Sequence, residues 1–330
     1  MARNLSGRKF VSTASERQLA EIYFDCVAAV SKAKRLKNAE FYNMQQTPAQ
    51  EREFLVEARR ICKELDCSDP YKGAFVSPDG KTGVFVNEED HIRIQTVGDS
   101  LPQLYKAADA IDDEIEKTLE YAFSSDIGYI TACPTNLGTG MRASVMLHLP
   151  ALSIDNQVEK IVRALNQMGM IVRGALGEGS DSYNSYYQVS NQFTLGLSEA
   201  EIVKKVQTFC KKICQFETNA RNKMLEDAPL AVADRISRAR ATLENCRLID
   251  AEEAVMNISV LRMAADMNMM DNPQETIDDL DSMTLAVQPA HLCRLFGVPD
   301  ADTDVRDALR AGFLNKEISK LPEINIERVV

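Results

Sequence analysis

The chain of 330 residues has no tryptophan and only three histidines, His91, His148 and His291. None of its eight cysteines stands in a CxxC pair: Cys62 and Cys67 are five apart, and Cys210 and Cys214 are one helical turn apart. With so few imidazoles and no paired thiols, no structural zinc site is expected. There is no apolar run of about 18 residues, so no transmembrane helix is expected. The start, Met1 to Lys9, lacks the apolar core of a signal peptide. The cysteines are therefore expected as reduced thiols in a cytoplasmic protein. Positive charge is also short: 38 Lys and Arg stand against 49 Asp and Glu, a net charge of −11 with a pI of about 5.0. Global attraction to nucleic acid or to an anionic membrane is not expected, although a local arginine cluster could still hold an anionic ligand. Repeats, low-complexity tracts, a P-loop and the glycine loop, HRD and DFG elements of protein kinases are all missing.

What is present is 45% hydrophobic, enough for a sizeable core and two domains. Ser15 and Gln18 form an N-cap pattern ahead of Leu19, Ile22, Tyr23, Cys26, Val27 and Val30 at helical spacing. A second helix is predicted from Ala49 to Leu65. Phe75-Val76 and Gly83 to Val86 flank Pro78-Asp79-Gly80 as a hairpin, and His91 to Gln95 alternates as a third strand. A long amphipathic helix carries Leu104, Ala108, Ile111, Ile115, Leu119 and Ala122. Beyond it lie a strand from Arg142, a helix at Val158 to Met168, a strand at Met170 to Arg173, strands at Tyr186 to Ser190 and Phe193 to Leu197, and a helix capped by Ser198 and Glu201. After Met224 only helical patterns remain: Ala231 to Leu243, Ala251 to Met267 and Val305 to Leu314. The methionines at 256, 263, 267, 269 and 270 read as core filler there. The expected class is α+β, an antiparallel sheet flanked by helices with an all-α C-terminal domain. The expected domains are residues 1–224, mainly helical to 70 and then sheet plus helices, and residues 225–330.

Four segments could carry chemistry. Asn87-Glu88-Glu89-Asp90-His91-Ile92-Arg93 packs charge between two apolar strands. Three acids in a row ordinarily make a solvated turn, but Arg93 falls inside the strand. Cys133 to Met146 joins a thiol, the glycines Gly138 and Gly140, and Arg142 at the start of an alternating strand. Val172 to Ser180 repeats that logic with Arg173, three glycines and Glu178. The fourth segment is Arg3-Asn4-Leu5. Arginine grips phosphate oxygens bidentately. Phosphoryl transfer to a guanidinium needs several such cations with Mg²⁺, carboxylates that align the acceptor and take its proton, and optionally a thiolate that polarises it. Arg93, Arg142 and Arg173 with Glu89, Glu178 and Cys133 supply that set. No protein side chain is read as a metal ligand.

The string from Cys133 to Met146 resembles the signature of the phosphagen (guanidino) kinases, most closely the bacterial protein arginine kinases of the McsB type. The resemblance runs from about Arg3 to about Phe216 and includes Asn87 to Gln95, Cys133 to Leu152, Val172 to Ser180 and Ser190-Asn191-Gln192. It implies that Glu89 and Glu178 bind the guanidinium, that Cys133 is the reactive cysteine, and that Arg93, Arg142 and Arg173 hold nucleotide phosphate. It further implies nucleotide contacts from Arg142, Ala143, Ser144, Val145 and Met146 and from Arg173, Gly174, Ala175, Leu176, Gly177 and Glu178. The implied activity is ATP-dependent, Mg²⁺-assisted phosphorylation of arginine side chains in proteins, within a stress response. The implied partners are protein substrates with exposed arginine, a Clp protease system, an activator protein and a second copy in a homodimer. A nucleotide- or phosphoarginine-binding adaptor and a small-molecule guanidino kinase are the alternatives. Three family features differ. A Ser-x-Arg-x-Arg element belongs just before Ala2, where this chain starts, so the N-terminus is expected to be truncated. A nucleotide-contacting histidine falls at Arg59. A phosphoarginine-sensing Arg-Asp-x-x-Arg-Ala pattern is placed at Thr303 to Ala308, with both arginines replaced.

Overall fold

A computed structural model describes residues 1–174, 182, 184–299 and 301–325. Its backbone divides into two compact units, residues 1–144 with 190–208, and residues 145–189 with 209 onward.

The first unit contains β1 (Ala2–Arg3), α1 (Glu16–Val30), β2 (Glu40–Asn43), α2 (Ala49–Glu57), β3 (Gly73–Val76), β4 (Thr82–Val86), β5 (Ile92–Thr96), α3 (Leu101–Glu116) and a short hairpin, β6 (Phe123–Ser124) with β7 (Gly128–Tyr129). The main sheet runs β1-β5-β4-β3-β2 with every pairing antiparallel. In β4 the run Val84-Phe85-Val86 is wholly buried. Because side chains alternate across a strand, it fills two cores. Val84 and Val86 pack with Ile22, Cys26 and Val30 of α1 and with Ile111 and Ile115 of α3. Phe85 packs on the other face with Met44, Leu55 and Leu65. Ser15 and Gln18 cap α1 reciprocally. The helix predicted to reach Leu65 stops at Glu57. Arg59 turns left-handed (φ 55°), its N–H bonds the Val56 carbonyl and the Arg60 N–H bonds that of Leu55. That is a Schellman closure with arginine where glycine is the usual signal, so the pattern of apolar residues ran on past it.

Arg3 is 2% exposed. It ion-pairs with Asp112 of α3 at 2.5 Å, donates to the Thr139 carbonyl at 3.0 Å, and lies 3.5 Å from the centre of the Tyr129 ring. The Ala2 N–H bonds the Gly140 carbonyl. A Cβ on Gly140 would stand 2.6 Å from the Ala2 carbonyl oxygen, so this approach requires glycine.

The second unit holds most of a three-stranded sheet, order β8-β10-β9, made of β8 (Ser144–His148), β9 (Met170–Gly174) and β10 (Tyr186–Asn191). With it go α4 (Pro150–Ile154) and α5 (Val158–Gln167). The strand expected at Phe193 to Leu197 does not form. Instead the Asn191 side chain takes the Phe193 carbonyl and the Thr194 hydroxyl takes those of Thr135 and Leu137. Then follow α6 (Glu199–Asp227), whose first ten residues belong to the first unit, α7 (Pro229–Asn245), α8 (Ala251–Asp266), α9 (Pro273–Ala286), α10 (Pro289–Phe296) and α11 (Thr303–Ile318). Helices α9 and α10 add to those expected. Ile236, Leu243, Ile258, Leu261, Leu280, Leu314 and Ile318 form the core of this region together with Met269 and Met270. Met263 is buried too, whereas Met256 is 45% exposed and no core filler.

The Arg-Asp-x-x-Arg-Ala pattern is present after all, three residues beyond the expected position: residues 306–311 read Arg-Asp-Ala-Leu-Arg-Ala. Arg310 is fully buried and holds the carbonyls of Val287 and Ile249, both at 2.8 Å, and the Asp307 carboxylate.

A polar network ties β8 and β10 to the helices of this unit. His148 Nδ1 accepts from Arg262 at 3.2 Å, so its Nε2–H donates to the Ser259 hydroxyl at 2.8 Å. Arg262 also pairs with Asp281, which accepts the Tyr186 hydroxyl. Burial, then the charges of Arg262 and Arg221, hold the His148 pKa well below its ordinary value.

Two measurements follow from this packing. Arg3→Ala leaves the Asp112 carboxylate buried without its cation and should lower unfolding stability by about 3–5 kcal/mol in urea titrations, with Arg3→Met/Asp112→Leu recovering much of the loss. His148 resists protonation in the fold but titrates near about 6.5 in the unfolded chain, so unfolding takes up a proton below that pH. The melting temperature should therefore fall from pH 7 to pH 5, and fall less steeply in His148→Gln.

Candidate functional site

The acidic hairpin turn between β4 and β5 is built on residues that have structural tasks. Asn87 takes a left-handed conformation (φ 54°) and its amide donates to the carbonyls of Leu19 and Tyr71. Asp90 is 2% exposed; its Oδ1 accepts from Asn4 Nδ2 at 2.5 Å and from the Ala132 N–H at 2.7 Å. His91 is wholly buried; Nδ1 accepts from the Leu5 N–H, and Nε2–H donates to the Lys9 carbonyl at 2.9 Å. Burial lowers its pKa, in keeping with that neutral tautomer.

With Asn87, Asp90 and His91 so engaged, Glu89 is the acid of this turn left to face outward. Glu88 is buried and accepts from Arg93 at 2.9 Å. Glu89 is exposed, and its pKa is raised by partial burial and then by the neighbouring charges of Asp90 and Glu88. Arg93 is half-exposed at the paired centre of β5, opposite Phe85 and Ala2. Partial burial opposes its charge, but Glu88, with Cys62 and Glu64, outweighs that and raises its pKa.

The thiol of Cys133 lies one residue past Ala132, so the Asp90 bond fixes the cysteine loop against the acidic turn. Its Sγ is 3.0 Å from the Thr135 hydroxyl and its carbonyl accepts from Thr131. The loop ends at Gly138, whose φ is 102°. A Cβ there would stand a tight 3.0 Å from the Leu195 backbone, and the positive φ strains any residue but glycine. Arg142 is exposed between two buried neighbours, Met141 and Ala143. Asn191, 2% exposed, brackets it: Oδ1 accepts from the Ala143 N–H at 2.8 Å and Nδ2 donates to the Met141 carbonyl at 3.2 Å. The first unit thus gathers Glu89, Arg93, Cys133, Arg142, Ala143 and Ser144. Val145 and Met146 lie on β8, and Arg173 and Gly174 end β9, in the second unit. Arg173 is exposed. Ala175, Leu176, Gly177 and Glu178 lie outside the described residues.

Sequence reasoning singled out Glu89, Arg93, Cys133 and Arg142 but not the residues that seat them. Asp90 and Asn191 lay within marked segments, and Thr194 within an expected strand, but none of the three carries a signal that tells a supporting residue from a chemical one. Arg3, by contrast, is committed to the Asp112 clamp and is closed to a ligand. Arg59 marks the end of α2.

Among the described residues one group could converge on a metal ion, Cys62, Glu64 and Glu88, with donor atoms within 4.8 Å. It suits Mg²⁺ poorly. That ion wants near-octahedral oxygen, the Cys62 thiol is held protonated by burial and by Glu88, and Glu88 is already bound by Arg93. A cavity of about 290 Å³ lined by Met224, Asp227, Val232 and Arg235 contains none of the candidate residues.

Known proteins match the whole of this framework. A family model described as ATP:guanido phosphotransferase, C-terminal catalytic domain, matches residues 21–220, and one described as protein-arginine kinase McsB C-terminal domain matches residues 229–328. A protein-arginine kinase of Syntrophomonas wolfei is 38% identical over 324 residues, 96% of this chain and 89% of that protein. The protein-arginine kinase of Bacillus subtilis is 34% identical over 322 residues, 96% and 88% of the two chains. Among solved structures, the duplicated taurocyamine kinase of Schistosoma mansoni with bound transition-state-analogue components is 28% identical at a TM-score of 0.58, over 66% of this chain and 32% of that one. Lombricine kinase, 24% identical at a TM-score of 0.58 over 68% and 65% of the chains, shares the fold. From its acidic turn and cysteine loop to its helical C-terminal region, the chain belongs to the ATP:guanido phosphotransferase family, among the protein-arginine kinases.

Proposed function

We propose that this chain transfers the γ-phosphoryl group of ATP to arginine side chains in proteins. The observation that carries the reading is the Asp90 bond to Ala132, which seats the Glu88–Glu89 turn, with Arg93 beside it, against the Cys133 loop. A guanidinium is always charged and planar, so an acceptor site needs carboxylates held at a fixed place. Glu89 and Glu178 orient the guanidinium in line with the γ-phosphorus and take the proton that its attacking nitrogen loses. Its raised pKa suits Glu89 to that proton transfer. The nitrogen lone pair forms the new N–P bond as the bond from phosphorus to the ADP oxygen breaks. The Cys133 thiol faces the acceptor and helps to polarise it. Arg93, Arg142 and Arg173 spread the charge of the phosphates, and residues 143–146 and 174–178 contact the nucleotide. Mg²⁺ carried in with the nucleotide would supply further charge neutralisation there.

We assign residues 1–224 to the catalytic domain and 225–330 to a helical domain, a division supported by the two family models, which part between 220 and 229. The family resemblance supports a cytoplasmic place in protein quality control, with a Clp protease system, an activator protein and a second copy as partners. No helix among the described residues is long and apolar enough to cross a membrane.

The test is phosphoarginine detection by mass spectrometry on casein with Mg-ATP. The wild-type chain should label arginines, and Glu89→Gln should not. Arg142→Ala should lose about 3 kcal/mol of transition-state stabilisation, roughly a hundredfold in kcat/KM. Bound nucleotide without any phosphoarginine in the wild type would point to the adaptor instead.

A further inference from the structure

Four large apolar side chains stand exposed on one run of adjoining backbone beside the cysteine loop. Phe123 is 60% exposed, Ile127 40%, Phe193 53% and Leu195 54%. Phe123 pairs across the β6–β7 hairpin with Tyr129, ring centres 5.2 Å apart. The Tyr129 backbone bonds Gly138 in both directions. Leu195 lies against the other side of Gly138. The Thr194 hydroxyl holds this second segment to the carbonyls of Thr135 and Leu137. Through these bonds both segments are joined to the cysteine loop, in which the Thr135 hydroxyl touches the Cys133 thiol. A single exposed apolar side chain needs no explanation, but four on two segments bonded to the same loop point to an interaction site.

The strip has an acidic border. Asp109, Asp113 and Glu116 recur at four- and three-residue spacing on one face of α3, and Glu199 opens α6. Both helices bring acids near this region: burial and then Asp109 and Glu199 raise the pKa of Tyr105, and on Tyr129 of the hairpin burial acts first, the buried Arg3 opposes it, and Glu116 and Glu199 add to it. An apolar strip bordered by negative charge is complementary to chain that is both apolar and basic.

We propose that this strip docks the polypeptide flanking the target arginine, an extended, unfolded segment with apolar and basic residues. The proposal rests on the kinase reading above and names its substrate class. A free amino acid or a small guanidino compound would reach the carboxylates and the thiol without touching Phe123 or Phe193. An unfolded chain would bury them, and its cations would face Asp113, Glu116 and Glu199.

The experiment uses two peptides of equal length with a single arginine each, one flanked by Leu, Phe and Lys, the other by Gly and Ser. Wild-type protein should phosphorylate the first with a kcat/KM about tenfold higher, the scale expected for burying one or two aromatic side chains. In Phe123→Ser/Phe193→Ser, and to a lesser degree in Phe193→Ser alone, that preference should vanish while the rate on the Gly-Ser peptide stays unchanged. Equal rates on the two peptides in the wild type, or an undiminished preference in the variants, would overturn the proposal. If neither peptide is phosphorylated, the kinase reading has failed. Fluorescence anisotropy of the same labelled peptides then decides the docking surface alone: weaker binding of the apolar peptide by the double variant upholds it, and equal binding removes it.

Discussion

The carboxylate of Asp90 is the constraint on which the candidate site depends. A buried carboxylate is costly unless donors surround it, and Asp90 finds its two in different segments, the Asn4 side chain and the Ala132 backbone. Asn4 in turn accepts from the His91 N–H and donates to the Ile130 carbonyl. These bonds hold β1, the acidic turn and the cysteine loop as one piece. Glu89 and Cys133, separated by more than forty positions in the chain, are thereby seated on joined loops. Neither needs the other for its place; both are placed by a residue that does no chemistry.

Arginine serves this protein in two ways, and burial separates them. Arg3, Arg240 and Arg310 are buried and bond carbonyl groups of distant segments. Each acts as a many-pronged staple, for which the rigid five-donor fork is better suited than lysine. Arg93, Arg142 and Arg173 reach the surface, where an anionic ligand could meet them. A sequence shows six arginines of one kind. Only packing distinguishes the structural three from the others, which is why Arg3 could be taken for a site residue before its clamp on Asp112 was visible.

Much of the fold was legible because it follows from periodicity. The hairpin at Pro78-Asp79-Gly80, the amphipathic face of α3 and the capped starts of α1 and α6 all announce themselves locally. What stayed hidden depended on contacts across the chain. Arg59 ends α2 in a conformation for which its own identity gives no warning. Phe193 to Leu197 has the composition of a strand, yet the Asn191 amide takes the Phe193 carbonyl and the Thr194 hydroxyl donates to the cysteine loop. Helices α9 and α10 are short or weakly patterned, and their apolar residues become readable as a face only against α8 and α11. The chemical residues were easier than their supports, since a thiol between glycines or an arginine at a strand start is unusual in itself. An aspartate in an acidic run is not.

The ion pair between Glu88 and Arg93 has a consequence for any anion that arrives. Arg93 does not wait empty; it already has a carboxylate partner, and Glu88 is too deeply placed to turn away to solvent. Binding there is an exchange of one counter-ion for another. A singly charged ligand gains little by displacing Glu88, whereas a polyphosphate brings enough charge to prevail or to share the guanidinium. For an anion meeting Arg93 the pair would thus set a threshold on valence, from which a densely charged ion gains more than a singly charged one. It also keeps the arginine extended and aimed between visits, so that the ordering of that side chain is settled before the ligand is met.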